Sequence, residues 1–125
     1  MTKRKILVVD NDVRITRTLK LRLEKTGKYE VKTENQGSNA LNVVRDYRPD
    51  LILLDILMPD MIGSDVASEL IDDEELKDTK IIFLTGIISA REVEAADGKI
   101  SGRSFIAKPV IINKLIESIE KELGK

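Results

Sequence analysis

The stretch Leu51-Ile52-Leu53-Leu54-Asp55 is a run of four aliphatic residues that ends in a carboxylate. The same arrangement occurs in Ile6-Leu7-Val8-Val9-Asp10 and in Ile81-Ile82-Phe83-Leu84-Thr85, where an apolar run is also followed by a polar residue. Continuous apolar runs of this kind are typical of strands that are buried on both faces, as in a parallel sheet covered by helices. The three runs therefore predict the central strands of a parallel sheet.

Two more strands and five helices are predicted around these runs. Residues 105–107 form a short apolar run, and the alternating stretch 29–33 is typical of an edge strand. Apolar residues at helical spacing follow each strand and begin at Ile15, Ala40, Ile62, Val93 and Ile112. This strict alternation predicts an α/β fold with (βα)5 connectivity, in which a doubly wound parallel sheet carries helices on both faces. The length of 125 residues fits a single domain over residues 1–125.

The composition excludes several classes of protein. With no Cys and no His, the chain has no disulfide, zinc-finger, thiol or Ser-His-Asp chemistry, and it carries no phosphohistidine. A net charge of −1 and 3% aromatic residues give no support for nucleic-acid binding. No apolar run approaches the roughly 18 residues that a membrane helix needs, so we expect a cytoplasmic protein. Residues 1–32 carry ten basic and four acidic residues, which we interpret as a solvated face, with docking to a partner as the alternative.

Polar residues follow four of the five predicted strands. They are Asp10 with Asn11 and Asp12, then Asp55, Thr85 and Lys108; the strand at 29–33 contributes no comparable group. In open parallel sheets, ligands bind beyond the carboxyl ends of the strands, so we expect these side chains to meet at one edge. Clustered carboxylates need a cation between them, and oxygen ligands without His or Cys favour Mg²⁺ or Mn²⁺.

The same residues suit phosphoryl transfer. An aspartate can attack phosphorus to give an acyl phosphate, and the charge on the phosphoryl oxygens must then be neutralised. Mg²⁺, Lys108 and the Thr85 hydroxyl are candidates for holding one oxygen each. The chain has no Gly-rich phosphate loop, which argues against nucleotide binding.

The motifs resemble the receiver domain of two-component response regulators over essentially the whole chain. They are Val8-Val9-Asp10-Asn11-Asp12, Leu54-Asp55-Ile56-Leu57-Met58-Pro59-Asp60-Met61-Ile62-Gly63, Phe83-Leu84-Thr85-Gly86 and Lys108-Pro109. The resemblance implies a CheY-like, flavodoxin-type fold with strand order 2-1-3-4-5. It also implies a signalling module rather than an enzyme, one that promotes only its own phosphorylation and dephosphorylation.

The resemblance assigns a role to each site residue. Asp55 would be the phospho-acceptor, Thr85 the switch hydroxyl and Lys108 the phosphate partner. The metal ligands would be Asp10, the residue at position 11, Asp55 and the main-chain carbonyl of Leu57. Phe105 stands at the position of the switch aromatic, and the Lys108–Pro109 peptide would be cis. The phosphoryl group would come from a histidine kinase or phosphotransfer protein. The output face, for a downstream partner or a self-dimer, would comprise the fourth helix, the fifth strand and the fifth helix.

Several positions depart from the family pattern, among them positions 11, 105 and 111. Asn11 replaces the usual second acidic residue, and Asp12 is the possible compensating acid, although it also suits a helix cap. Phe105 lacks the hydroxyl of a switch tyrosine, which leaves a rotation that depends on packing. Ile111 stands where a capping Asp or Ser is frequent, which predicts an uncapped start to the last helix.

Two alternative functions remain open. Asn11 is compatible with a receiver-like interaction module that no longer uses phosphate. The pair Asp10-x-Asp12 also resembles the nucleophile motif of haloacid dehalogenase-type phosphatases, in which Asp10 would be the nucleophile and Asp12 the general acid. The residues after Lys108 offer only helix-borne glutamates as metal ligands for such an enzyme.

Overall fold

Strands and helices alternate over residues 4–85, as the apolar pattern predicts. The computed structural model describes residues 3–59, 61, 63–86, 99–100 and 103–124. The strands are β1 (Arg4–Val9), β2 (Tyr29–Glu34), β3 (Leu51–Asp55), β4 (Lys80–Thr85), β5 (Lys99–Ile100) and β6 (Arg103–Ala107). The helices in these residues are α1 (Val13–Glu24), α2 (Ala40–Tyr47), α3 (Gly63–Asp72) and α4 (Ile112–Glu122), and a 3₁₀ turn at Gly37–Asn39 precedes α2. None of the helices described is long and apolar enough to span a membrane.

The strands form one sheet in the order β2-β1-β3-β4-β6-β5. The first five strands of this order are parallel, and β6 is the fifth predicted strand, so the predicted order 2-1-3-4-5 is confirmed. The sequence did not predict β5, which pairs with β6 in the antiparallel direction through Lys99 and Ile100. Two residues are too few to show an alternating pattern, and a strand this short depends on its neighbour rather than on its own sequence.

Two hydrophobic layers cover the sheet. Alternate residues of β1 point to opposite sides: Ile6 and Val8 belong to one core, and Leu7 and Val9 to the other. Helices α1 and α4 close the first core, for example through Leu23. The second core is closed by α2 and α3. Burying one large aliphatic side chain stabilises the fold by about 1.5–3 kcal/mol, so these layers fix the sheet whose edge carries the polar residues.

Local sequence features mark the ends of three helices. Gly27 lies just beyond α1 with φ 78°, a left-handed conformation that favours glycine. Helix α2 ends at Tyr47, before Arg48 and the buried Pro49. Ile111 is the residue before α4, and its side chain makes no capping hydrogen bond, which confirms the uncapped start. The fourth predicted helix, whose apolar spacing begins at Val93, lies outside the described residues.

Candidate functional site

The carboxyl ends of four neighbouring strands bring Asp10, Asp55, Thr85 and Lys108 to one edge of the sheet. Asp55 and Thr85 are the last residues of β3 and β4, and Asp10 and Lys108 directly follow β1 and β6. Asp10 is 0% exposed, Asp55 5% and Thr85 2%. The predicted meeting of these strand ends is therefore confirmed, and it leaves two carboxylates side by side with almost no contact with water.

Lys108 joins the two carboxylates. Its Nζ lies 2.7 Å from Asp10 Oδ2 and 3.1 Å from Asp55 Oδ1. The lysine is held in place because its main-chain N–H donates to the Thr85 carbonyl at 2.8 Å. The Lys108–Pro109 peptide bond is cis, as the resemblance implied. Because one ammonium faces two carboxylates, the cluster keeps an excess of negative charge.

This arrangement shifts two pKa values. Burial raises the pKa of the Asp55 carboxyl above its ordinary value, the nearby Asp10 raises it further, and Lys108 offsets part of the increase. Burial alone would lower the pKa of Lys108. The Asp10 and Asp55 carboxylates outweigh burial, however, and the pKa of the ammonium is raised overall. Lys108 is therefore a permanent cation at neutral pH.

One oxygen of Asp10 is left without a hydrogen bond. Asp10 Oδ1 accepts the Asp12 main-chain N–H at 2.9 Å. Oδ2 is buried and forms the ion pair with Lys108, but no described group gives it a hydrogen bond of acceptable geometry. The Lys108 ammonium satisfies the charge of this oxygen, which keeps a further lone pair that suits a cation.

The donor set fits Mg²⁺ with few protein ligands. No group of three or more acidic side chains converges anywhere in the described ranges. Mg²⁺ nevertheless usually binds through one or two carboxylates and completes its shell with waters, substrate oxygens and carbonyls. Asp10 and Asp55 would supply the two carboxylates, and the carbonyl of Leu57 remains the predicted third ligand.

The residues next to Asp10 point elsewhere. The side chain of Asn11 is exposed. Asp12 is the N-cap of α1: its Oδ1 accepts the Arg14 main-chain N–H at 2.9 Å, and its Oδ2 lies 3.3 Å from an Arg14 guanidinium nitrogen. The bonds from the Arg14 side chain and main chain lower the pKa of Asp12. The structure thus shows Asp12 as a helix cap; its compensating role at the metal stays a prediction.

The loop after Asp55 returns closely to the main chain of Asp55 through Gly63. The Gly63 N–H donates to the Ile56 carbonyl at 2.6 Å. A Cβ atom on Gly63 would collide with the Asp55 carbonyl oxygen and lie 2.9 Å from Ile56 Cα. Met58 is buried in the second core, as expected for packing, whereas Leu57 is 55% exposed beside the site.

The position of the switch aromatic is occupied by Phe105, one strand away from Thr85. Its ring stacks on Phe83, with centroids 5.2 Å apart and an angle of 29° between the ring planes. Phe105 is partly buried against the second core. The aromatic pair therefore lies in the adjacent strands β4 and β6, which also bring Thr85 and Lys108 to the site edge.

Asn35 is a site residue that sequence analysis missed. It follows β2, the strand from which we expected no group comparable to those that follow the other four strands. Its Nδ2 donates to the Asp10 carbonyl at 2.9 Å and to Thr16 Oγ1 at 3.0 Å. The available signal was its position: Asn35 is a polar residue directly after a strand, as Asp10 and Lys108 are.

A groove opens beside Lys108 between α1 and the start of α4. Its volume is about 560 Å³. Its apolar wall includes Ile15, Leu19 and Val110, and its basic groups are Arg14, Arg22 and Lys108. The groove is also lined by Asp12, which pairs with Arg14, so it offers an apolar wall beside Arg22 and two ion-paired basic groups.

Comparisons with known proteins agree with this geometry. The sequence profile of the family described as the response regulator receiver domain matches residues 6–120. The polar-differentiation response regulator DivK of Brucella ovis is 34% identical over 125 residues, which cover 99% of this chain and 98% of DivK. DivK of Brucella anthropi shows the same identity and coverage.

Solved structures show the same architecture. The chemotaxis response regulator CheY4 of Vibrio cholerae superposes with a TM-score of 0.80 at 28% identity, over 97% of this chain and 99% of that one. A CheY-like receiver domain protein of Methanospirillum hungatei gives a TM-score of 0.81 at 29% identity, over 98% and 95% of the two chains. With the strand-end cluster, the profile match and these relatives in agreement, the chain belongs to the family of response regulator receiver domains.

Proposed function

We propose that this chain is a cytoplasmic signalling switch, one receiver domain over residues 1–125, in which Asp55 accepts a phosphoryl group in a Mg²⁺-dependent reaction. The observation that carries the proposal is the buried cluster of Asp10, Asp55 and Lys108 at the carboxyl edge of the sheet. Receiver domains are signalling modules that generally bind Mg²⁺ and interact with histidine kinases or phosphotransfer proteins and with downstream partners.

The proposed reaction transfers phosphorus from a histidine to Asp55. A carboxylate oxygen of Asp55 forms the new O–P bond while the N–P bond of the donor's phosphohistidine breaks, and the imidazole leaves with the electron pair. Bound Mg²⁺ would neutralise charge on the phosphoryl oxygens. Lys108, already 3.1 Å from Asp55 Oδ1, would pair with another of these oxygens, and the Thr85 hydroxyl at the end of β4 would bind a third.

The groove beside Lys108 is the proposed docking site of the phosphohistidine-bearing donor. A donor must bring its imidazole to Asp55, and the groove ends at Lys108, which touches that carboxylate. Arg14 and Arg22 complement acidic residues on such a donor, while Ile15 and Leu19 offer apolar contact. This assigns the basic balance of residues 1–32 to docking, the alternative left open by the sequence.

Phosphorylation would be transmitted through Thr85 and Phe105. Once Asp55 carries a phosphoryl group, Lys108 gains a new anionic partner and Thr85 a new hydrogen-bond acceptor. Thr85 is paired with Ala107 in the sheet, two residues after Phe105. The proposed output is a change in the packing of Phe105 against Phe83. This change would reach the face formed by β6, α4 and the helix predicted around Val93.

The geometry disfavours the phosphatase alternative. That reaction needs Asp12 as a general acid, which must hold a proton at working pH. The Asp12 carboxylate instead caps α1 and pairs with Arg14, and its pKa is lowered. One observation supports the other alternative, a receiver-like interaction module that does not use phosphate: the exposed amide of Asn11 stands in place of an acidic residue.

Intact-mass measurement after incubation with acetyl phosphate and Mg²⁺ tests the proposal. Wild type is expected to gain one phosphoryl group, and Asp55→Asn none. Asp65→Asn, which changes an exposed carboxylate on α3, serves as the matched control and should be phosphorylated as wild type is. Equal occupancy on Asp55→Asn would refute the assignment, and an unmodified wild type would favour the phosphate-independent module.

A further inference from the structure

The turn that carries Asp10 is braced from outside by a single amide side chain. Asn35 Nδ2 donates to the Asp10 carbonyl, at the end of β1, and to Thr16 Oγ1, in the first turns of α1. Both amide hydrogens are therefore used across the turn. The Asp10 carbonyl can only accept, so the nitrogen rather than the oxygen of the Asn35 amide must face it.

The brace continues into the helix. Thr16 is buried, and its hydroxyl donates to the Val13 carbonyl at 3.1 Å while it accepts from Asn35. Within the turn, the Asp12 N–H donates to Asp10 Oδ1 at 2.9 Å. The direction of the Asp10 carboxylate thus depends on a main-chain turn whose two ends are tied by Asn35.

We propose that Asn35 is a positioning residue for the phosphorylation site: it holds the β1–α1 turn so that the Asp10 carboxylate stays beside Lys108 and faces the proposed metal position. Without the brace, Asp10 is expected to rotate away from the like-charged Asp55, because Lys108 supplies one positive charge for two carboxylates and the Asn35 hydrogen bonds no longer oppose the remaining repulsion. The link to metal binding rests on the proposed function, whereas the bracing of the turn does not.

The register of β2 against β1 brings Asn35 to the Asp10 carbonyl. The Asp10 N–H donates to the Glu34 carbonyl at 3.1 Å, so β2 reaches the site edge in register with β1. Asn35 is the next residue and is partly buried. Asn39, four residues later, provides the matched control, since its Nδ2 donates to Gln36 Oε1 on the exposed side of the same connection.

Hydrogen exchange of the Asp12 amide, measured by NMR without metal, reports the direction of the Asp10 carboxylate directly. Asn35→Ala is expected to speed exchange of this amide by about tenfold, as for loss of one hydrogen bond. If Asn35→Ala does not fold, the isosteric Asn35→Asp replaces it, with the same expected result. The Leu53 amide in β3 should not change. Asn39→Ala should leave both amides as in wild type, and Thr16→Ser, which keeps the hydroxyl, should do the same.

Calorimetric titration with Mg²⁺ on the same proteins completes the test. A weaker affinity in Asn35→Ala, with Asp12 exchange accelerated and the unfolding midpoint close to that of Asn39→Ala, supports the inference. Unchanged Asp12 exchange, or equal acceleration of all amides with unchanged affinity, overturns it. If wild type binds no Mg²⁺ while Asp12 exchange still accelerates in the variant, the proposed function fails and the positioning of Asp10 by Asn35 stands.

Discussion

Lys108 is bound more closely by Asp10 than by Asp55: its Nζ lies 2.7 Å from Asp10 Oδ2 and 3.1 Å from Asp55 Oδ1. The acceptor carboxylate therefore shares its counter-ion with a neighbour that is buried even more deeply. A phosphoryl group on Asp55 would compete with Asp10 for the same ammonium. This competition couples the charge state of Asp55 to the position of Lys108.

The first prediction concerns the stability of this cluster. Lys108→Met should lower the free energy of unfolding by about 2 kcal/mol at pH 7 in metal-free buffer. This is less than the about 3–5 kcal/mol for breaking a fully buried pair, because solvent screens a partly exposed partner. The Lys108 side chain is 20% exposed. Urea unfolding measures the difference, and Lys25→Met, on the exposed end of α1, should stay within about 0.5 kcal/mol of wild type. Equal stability of the two variants would mean that the carboxylates are already screened by water.

A second prediction follows from the raised pKa of Asp55. An acid whose pKa is raised in the folded state binds its proton more tightly there than in the unfolded chain. The favourable contribution of Asp55 to the free energy of unfolding is fully present below pH 3.8, the ordinary pKa of the group. It is lost as the pH rises through the pKa of Asp55 in the folded state. Asp55→Asn should therefore be more stable than wild type at pH 7 without metal. This difference in stability between the two proteins should become smaller towards pH 3.8 and below. Thermal unfolding at several pH values checks this. A gap independent of pH would show that the stabilisation has another cause.

The third prediction concerns the close approach of Gly63 to the acceptor. Gly63→Ala places a Cβ against the Asp55 carbonyl and Ile56 Cα, both main-chain atoms that cannot yield as a side chain does. The loop must move, and we expect a loss of stability of about 1–3 kcal/mol, as for other overpacking changes. Phosphorylation by acetyl phosphate should slow at the same time, because the acceptor is displaced. Gly86→Ala, where a Cβ meets nothing within 4 Å, is the matched control.

The fourth prediction concerns the amide at position 11. Asn11→Asp adds a charge beside Asp10, where the family usually has an acidic residue. The attraction of one more carboxylate for Mg²⁺, after screening by water and salt, should tighten binding by about tenfold. Asn42→Asp, which adds the same charge on the exposed side of α2, should change the affinity little. Calorimetric titration decides: equal or weaker binding by Asn11→Asp would mean that another oxygen, such as that of Asp12, already occupies the position.

The sequence predicts the features of the site that follow from the order and direction of the strands. It does not predict side-chain contacts between elements that are distant along the chain. Apolar runs ending in Asp10, Asp55, Thr85 and Lys108 suffice to predict the site, because the carboxyl ends of parallel strands must converge. The role of Asn35 depends on the register of β2 against β1, which aligns Val9 with Glu34, and no local pattern reports that register. The two residues of β5 carry too little sequence to be distinguished from a loop.

The last prediction concerns the lifetime of the phosphorylated form. Hydrolysis of an aspartyl phosphate needs a water in line with the phosphorus, opposite the Asp55 oxygen. We expect the side chains two residues after Asp55 and two after Thr85 to flank that approach. Leu57 is 55% exposed there, and Ile87 lies outside the described residues. Neither side chain can bind or orient a water, so wild type should lose its phosphoryl group slowly.

Polar groups at these two positions should shorten the lifetime. Leu57→Asn combined with Ile87→Glu offers a hydrogen-bond partner and a base to the attacking water, and we expect decay to accelerate by about tenfold or more. Decay of the acetyl phosphate-labelled protein is followed by intact mass at saturating Mg²⁺, so that weak metal binding through Asn11 does not limit the rate. Leu21→Asn, which changes an exposed leucine of α1, controls for the loss of an apolar side chain. Matching decay rates for wild type and the double variant would show that the metal, and not these two aliphatic groups, governs hydrolysis.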